Sequence, residues 1–223
     1  MSAILFDMDG TLINSEPLWL QAEIEIMAEL GCHWDQQDQI NCLGGPTERT
    51  EKYMQERSNY VKPFGYFEKK LDELMEYKLS NELELIPNAR ELLEECKASG
   101  IKIALVTASN GRQMRSVLTR FPEGFFDATV SRDDVQKSKP DPAPYLLAAN
   151  LLGVKNELCV VFEDSPTGVE SGLRSGAQVI GIPHLIQMVP HVNLRVIDAI
   201  ADVNLAQLIT WYPFLTSRLN SND

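Results

Sequence analysis

Apolar residues along this chain follow two distinct rhythms. Short runs in which almost every position is apolar recur as AILF (3–6), IKIALVT (101–107), ATVS (128–131), LCVVFED (158–164) and QVIGI (178–182). They are short, rich in β-branched residues and free of polar alternation, which predicts strands buried on both faces. NARELLEECKASG (88–100), NGRQMRSVLTRF (110–121), DPAPYLLAANLLG (141–153) and SPTGVESGLRSG (165–176) instead space their apolar residues at helical intervals, and three of them close at Gly100, Gly153 or Gly176. Strand alternating with helix predicts an α/β fold: a parallel sheet with right-handed crossovers and helices on both faces. Ligand sites in such sheets lie beyond the carboxyl ends of the strands.

From about residue 15 to residue 86 the strand rhythm stops. PLWLQAEIEIMAELG (17–31), TERTEKYMQERS (47–58) and YFEKKLDELMEYKLS (66–80) have helical spacing, with Gly44, Gly45, Pro46 and Pro63 as punctuation. Residues 1–14 and 87–223 are therefore assigned to an α/β core, and residues 15–86 to an inserted all-α cap domain of three helices. Such an insertion is either a lid over the end of the first strand or a helical elaboration. No internal repeat stands out, and the tail SRLNSND (217–223) is expected to fray.

Composition narrows the partners. The chain has 223 residues, 44% hydrophobic and 23% charged, within the range of ordinary globular proteins. A formal net charge of −12 disfavours nucleic acid, whose phosphates call for a basic surface. Cys32, Cys42, Cys96 and Cys159 have neither CxxC spacing nor a disulfide framework and are read as reduced thiols of a cytoplasmic protein. No basic leader with a long apolar run and no membrane-length apolar stretch is present, so the expectation is a soluble, unprocessed monomer.

Candidate chemistry begins at ILFDMDGT (4–11), where Asp7 and Asp9 stand directly behind the first apolar run. Alternation along a strand would turn both carboxylates into the cleft at the strand end. Like charges so close repel unless a cation or shared proton offsets them, and a hard divalent cation such as Mg²⁺, which takes oxygen ligands, would do so. A solvated turn or a helix cap is the plainer alternative. LVTASNG (105–111) adds Thr107, Ser109 and Asn110, whose hydroxyl and amide groups suit phosphate oxygens or, equally, the cap of the next helix. SKPDP (138–142) holds Lys139 in extended backbone before Pro140, and VFEDSPTG (161–168) puts Glu163 and Asp164 at another strand end. As an ordered set these groups are what a metal-assisted phosphoryl transfer requires.

In this order the motifs resemble those of the haloacid dehalogenase (HAD) superfamily of phosphohydrolases. DMDGT is similar to its first motif, Thr107 in LVTAS to its second, Lys139 in SKPDP to its third and EDS (163–165) to its fourth. The resemblance runs from about residue 3 to residue 182, and the helical interval resembles that family's cap. FDMDGTLINSEPLW (6–19) is similar to the subgroup of sugar-phosphate phosphatases and β-phosphoglucomutase. The resemblance implies a Rossmann-like core in which Asp7 is the nucleophile, forming an aspartyl-phosphate, and Asp9 is general acid and then general base. It implies Mg²⁺ held by Asp7, the backbone carbonyl of Asp9 and Asp164, with Glu163 a further ligand or a support, and Lys139 and Thr107 fixing the transferring oxygens. Gly10 would permit the sharp exit from the strand, and Thr11 would hydrogen-bond to orient Asp9. A carboxylate nucleophile also serves dehalogenation; the second aspartate suits phosphoryl transfer.

The expected function is a Mg²⁺-dependent phosphatase acting on a small phosphorylated metabolite, a sugar or polyol phosphate. A sugar phosphomutase and a non-catalytic phospho-ligand binding module are the alternatives. In the cap, Arg49 of GGPTERT (44–50) is either a partner for sugar hydroxyls or a second anion, or a solvated helix arginine. Mutases of the subgroup carry a histidine where this chain has Trp19, which speaks against the mutase and leaves Trp19 on a sugar face or in the cap core. Phosphonate-cleaving relatives need a cap lysine, and Lys52, Lys62, Lys69, Lys70 and Lys78 all sit in polar contexts that predict exposure. His33, His184 and His191 lie outside the motifs and read as structural or surface residues.

Overall fold

The computed structural model describes residues 1–42, 47–184 and 186–216. Six strands form the sheet: β1 (Ala3–Phe6), β2 (Lys102–Val106), β3 (Ala128–Val130), β4 (Cys159–Glu163), β5 (Gln178–Gly181) and β6 (Leu194–Val196). Their spatial order is β3-β2-β1-β4-β5-β6 and every adjacent pair is parallel, a Rossmann-like arrangement. Helices α1 (Glu16–Ala28), α2 (Gln36–Cys42), α3 (Thr47–Arg57) and α4 (Tyr66–Asn81) follow β1; α5 (Ala89–Ala98), α6 (Gly111–Leu118), α7 (Ala143–Leu152), α8 (Pro166–Arg174) and α9 (Leu205–Trp211) accompany the sheet.

Strand alternation sorts the apolar residues into two cores. Ile4, Phe6, Ile103, Leu105, Val160 and Phe162 face α5, α6 and α9, with Phe6 and Phe162 stacked at 5.0 Å. Ala3, Leu5, Ala104, Val106 and Val161 face α7 and α8, where Tyr145, Ala148, Ala149 and Val169 meet them. Both faces are covered, which is why the runs read as continuous apolar strings. Each large apolar side chain buried here contributes about 1.5–3 kcal/mol. The register sets Phe6 opposite Leu105 and Phe162, so the residues that follow β1, β2 and β4 leave the sheet along one rim.

The helices after β1 are tied in by two adjacent linkers: Ile13 bridges Leu85, Asn14 N–H donates to Glu84 O at 3.0 Å, and Ile86 N–H donates to Leu12 O at 2.9 Å. Ala22, Ile26 and Met27 of α1 and Leu71, Met75 and Leu79 of α4 supply their buried stripe. Four helices stand there among the described residues, not three. The added one, α2, has the sequence QQDQINC and too few apolar residues to show a helical period. Two further elements follow the last predicted strand within the core segment. Strand β6 is an edge of three residues with Val196 exposed and Arg195 over the Trp211 ring at 4.3 Å, so it has no buried-strand signature. Helix α9 begins with a capping box in which Asn204 and Gln207 exchange side-chain and backbone hydrogen bonds, a signal present in NLAQ (204–207).

Lys78 departs from the exposure predicted for the cap lysines. It is 5% exposed, and its ammonium donates to Glu25 Oε1 at 2.8 Å, because α1 and α4 pack with these two side chains between them. Gly44, Gly45, Pro46 and the tail 217–223 lie outside the described residues. No helix among the described residues is long and apolar enough to cross a membrane. All four cysteines are free, with Cys32 half-buried and the others buried.

Candidate active site

A cleft of about 560 Å³ lies where the strand ends meet the inserted helices. Asp7, Asp9, Ser109, Lys139 and Asp164 line its sheet side, and Glu16, Trp19, Glu23, Gln39 and Asp72 belong to the helical side.

Asp7 prolongs β1, its N–H donating to Phe162 O at 3.0 Å, and shares the parity of Ala3 and Leu5, so its carboxylate turns to the α7 side. There Lys139, 6% exposed, donates to Asp7 Oδ1 at 2.5 Å, Glu163 Oε1 at 2.6 Å and Val106 O at 2.9 Å, which occupies all three ammonium hydrogens. Glu163 is fully buried and also accepts from Tyr145 O–H at 2.6 Å and Ser165 O–H at 3.2 Å. Its oxygens are thus committed to holding Lys139, Tyr145 and Ser165. Gly168 of α8 makes room for that carboxylate, since a Cβ there would stand 1.9 Å from Glu163 Oε1.

Asp9 is placed by a turn rather than by strand alternation, because β1 ends at Phe6. Gly10 has φ +73° and its N–H donates to Ile13 O at 2.9 Å, which returns the chain toward the sheet. A side chain at Gly10 would also meet Asp164, with a Cβ 2.2 Å from its Oδ2. Asp9 Oδ2 accepts from Ser109 O–H at 2.7 Å and Thr107 O–H at 3.3 Å, and Oδ1 accepts from Trp19 N–H at 3.3 Å. Thr107 Oγ1 in turn accepts from Ser109 N–H at 2.9 Å. The expected hydrogen bond from Thr11 to this group is absent: its hydroxyl is buried with no partner among the described residues.

Electrostatics follow from burial. Desolvation, with Glu163 and Asp9 nearby, pushes the Asp7 carboxyl up to about 8 against the pull of Lys139. Burial alone would lower the Lys139 ammonium, but Asp7 and Glu163 outweigh it and hold the cation above its ordinary range. Desolvation, then the charges of Asp7 and Glu163, keep Asp164 well above the usual carboxylate range. One carboxylate oxygen each from Asp7, Glu163 and Asp164 lies within 4.8 Å of the others, a hard all-oxygen donor set. Asp164 has no hydrogen-bond or ion-pair partner among the described residues, so its oxygens are open to a cation. With Glu163 engaged by Lys139, Tyr145 and Ser165, Asp7 and Asp164 are the carboxylates of this set left to a hard cation such as Mg²⁺, whose preference for oxygen donors they fit.

Two expected site residues fall elsewhere. Asn110 is the N-cap of α6: its side chain accepts from the backbone of Arg112 and Gln113 at 3.0 Å each, and the helix-cap alternative holds. Arg49 is exposed on α3 and is not among the residues that line the cleft, although Glu48 and Thr50 on either side of it are. Trp19 does line it, half-buried and bonded to Asp9. His184, read as structural or surface, lines the cleft as well, its Nε2–H donating to Gly10 O at 2.7 Å. Glu16, Glu23, Gln39, Asp72 and Arg132 also border the cleft although no motif marks them. Glu16 stands in the first turn of α1, seven residues after Asp9 in LINSEP, the one hint the sequence holds.

Comparison with known proteins adds to this geometry. A family model described as haloacid dehalogenase-like hydrolase matches residues 4–182. The chain is 34% identical over 186 residues to the phosphorylated carbohydrates phosphatase of Thermotoga maritima, covering 82% of this chain and 86% of that protein. It is 31% identical over 215 residues to hexitol phosphatase B of Escherichia coli K12, covering 92% of each. The crystal structure of CbbY from Rhodobacter sphaeroides in complex with phosphate matches at a TM-score of 0.78 and 27% identity, over 93% of this chain and 99% of that one.

Proposed function

The chain belongs to the haloacid dehalogenase-like hydrolase family, and on that premise we propose that it is a Mg²⁺-dependent phosphatase hydrolysing a sugar or polyol phosphate through an aspartyl-phosphate on Asp7. The observation that carries this reading is the buried Asp7–Lys139–Glu163 cluster beside Asp164, which has no partner among the described residues, at a cleft large enough for a small metabolite. The names of the two phosphatase relatives support the substrate class.

Asp7, Asp164 and the Asp9 carbonyl would hold Mg²⁺, with Glu163 supporting Lys139 rather than binding metal. Bound there, the cation offsets the repulsion between a carboxylate nucleophile and a phosphoryl dianion. Lys139 occupies Asp7 Oδ1, leaving Oδ2 to attack phosphorus as the bond from phosphorus to the leaving oxygen breaks. Asp9 gives its proton to that leaving oxygen. In the second step Asp9 takes a proton from water, the water oxygen attacks phosphorus, and Asp7 is released with inorganic phosphate. The Ser109 hydroxyl rotates between donor and acceptor, so it can hold Asp9 in either protonation state. Residues 15–86 act as the cap, closing this cleft on the paired linkers near Ser15 and Ile86.

The test is phosphate release by purified protein with Mg²⁺, against an EDTA control, over hexose, pentose, polyol and nucleoside monophosphates. Metal-dependent release from the carbohydrate phosphates is expected. Release that persists in EDTA removes the metal assignment, and no release from any substrate removes the phosphatase. Conversion of β-glucose 1-phosphate to glucose 6-phosphate with little free phosphate would make the mutase the better reading.

A further inference from the structure

The helical side of the cleft has a charge pattern that the phosphoryl chemistry does not need. Five acidic side chains border it: Glu16 and Glu23, which burial pushes up to about 7, Glu48, which pairs with Lys52 at 2.8 Å, and Glu68 and Asp72, which share Arg132. Among the described residues, one permanent cation lies there, Arg132, which reaches in from the loop after β3. Its guanidinium is already matched, donating to Asp72 Oδ2 at 3.0 Å and Thr47 Oγ1 at 2.9 Å, with Glu68 Oε1 at 3.4 Å. Gln113 donates to the other oxygen of Asp72 at 3.4 Å, which fixes the carboxylate against Arg132. The segment 43–46, Leu-Gly-Gly-Pro, contains no charged side chain, and Arg49 is exposed and does not line the cleft. Lys139, the other cation, has all three hydrogens engaged at the sheet side.

A second anionic group on the substrate would therefore meet acidic side chains and, among the described residues that line the cleft, no unmatched positive charge. Hydroxyl groups would meet acceptors in abundance, since a carboxylate offers several lone pairs and a hydroxyl is both donor and acceptor. Gln39, which donates to Glu16 Oε2 at 3.3 Å, and Thr50 add neutral polar groups to the same wall. A wall built for hydroxyls discriminates strongly because a misfit leaves its polar groups without partners.

We infer that this half of the cleft is a hydroxyl-binding, anion-rejecting chamber, so that the substrate is a polyhydroxylated monophosphate with a neutral leaving group, and bisphosphates and phosphorylated sugar acids are excluded. The inference rests on the phosphatase reading and specifies its substrate. Asp72 and Glu68 are the specificity determinants, because they neutralise the one cation that could have received a second anion.

The experiment compares kcat/KM for glucitol 6-phosphate and 6-phosphogluconate, which differ only in a hydroxymethyl group against a carboxylate, with p-nitrophenyl phosphate as the measure of the chemistry itself. Glucitol 6-phosphate is expected to be favoured by at least about tenfold, because a second anion would lose hydration beside two carboxylates that already share the Arg132 guanidinium, with no free cation lining the cleft to receive it. In the double variant Glu68→Gln, Asp72→Asn, which frees Arg132, the ratio narrows. Equal rates, a preference for 6-phosphogluconate, or turnover of p-nitrophenyl phosphate with neither hexose derivative accepted would overturn the inference and leave the phosphatase standing. Absence of turnover on all three compounds would overturn the phosphatase itself. The wild-type ratio decides the matter even if the double variant does not fold.

Discussion

On the sheet side of the cleft, Asp7, Lys139 and Glu163 are 5%, 6% and 0% exposed, and both carboxylates lie within 2.6 Å of one ammonium. On the helical side, Glu16, Glu68 and Asp72 keep contact with solvent, and Arg132 shares its charge between two neighbours. The first arrangement is held by strand ends whose register allows almost no adjustment. The second sits on helices joined to the sheet by two linkers and can change composition without touching the chemistry. Reaction type and substrate choice are thus carried by different walls of one cavity, and substitutions should separate them.

The largest separation is expected at Asp7. Replacement Asp7→Asn keeps shape and the contact to Lys139 but removes the attacking oxygen, so kcat on any phosphate ester falls by at least about 10⁴-fold. Circular dichroism and a thermal melt should show an intact fold, because the change also removes one of several crowded, buried carboxylates. Retained turnover with a folded protein would move the nucleophile elsewhere.

That wall was also the legible one. Strands buried on both faces announce themselves as continuous apolar runs, and the chemistry follows each run at once: Asp7 after AILF, Thr107 after IALV, Asp164 after CVVFE. Lys139 was legible through SKPDP, although its burial was not, because nothing local to a lysine tells that Glu163 and Asp7 await it. Asp9 was placed correctly for a wrong reason, since the turn at Gly10 rather than strand alternation brings it to the rim. Asn110 shows the limit of residue type as a guide, because the same amide suits a phosphate and a helix N-terminus, and the backbone of α6 claimed it. The helical wall was hardly legible. Glu16, Glu23, Asp72 and Arg132 come from three elements far apart in sequence, and their acidic and basic side chains look like the solvated faces of ordinary helices until packing turns them inward.

An intermediate effect is expected from Glu23, which is buried, accepts from Trp34 N–H at 3.0 Å and stands near Glu16 and Asp38. Desolvation pushes its carboxyl from 4.5 up to about 7. A folded-state value above the unfolded one means that the protonated form is favoured by folding, so the associated stability is complete below about pH 4.5 and is lost as pH rises through 7. In saturating Mg²⁺, which keeps the sheet side constant, Glu23→Gln should remove about 2 kcal/mol of the decline in stability between pH 5 and pH 8, because glutamine stays neutral and still accepts from Trp34. Urea melts at the two pH values measure it. An unchanged slope would mean that Glu23 is ionised in the fold at pH 5, and the helical wall would then be more negative than described.

The smallest effect belongs to Arg49, which the sequence offered as a substrate contact. It is exposed on α3 and does not line the cleft that its neighbours Glu48 and Thr50 border. An exposed charge held by no partner in the cleft contributes little to binding, and any long-range attraction for a phosphate is screened within about 10 Å at ordinary salt. Arg49→Ala should therefore leave kcat/KM for a carbohydrate monophosphate within about twofold of wild type. The same substitution discriminates between the two walls more finely than any change inside the cleft. If Arg49 moved to the substrate when the cap closed, KM would rise and the rise would be steeper for a substrate with two anionic groups. A KM unchanged for both would leave Arg132, matched by Glu68 and Asp72, as the cation that decides which anions the helical wall refuses.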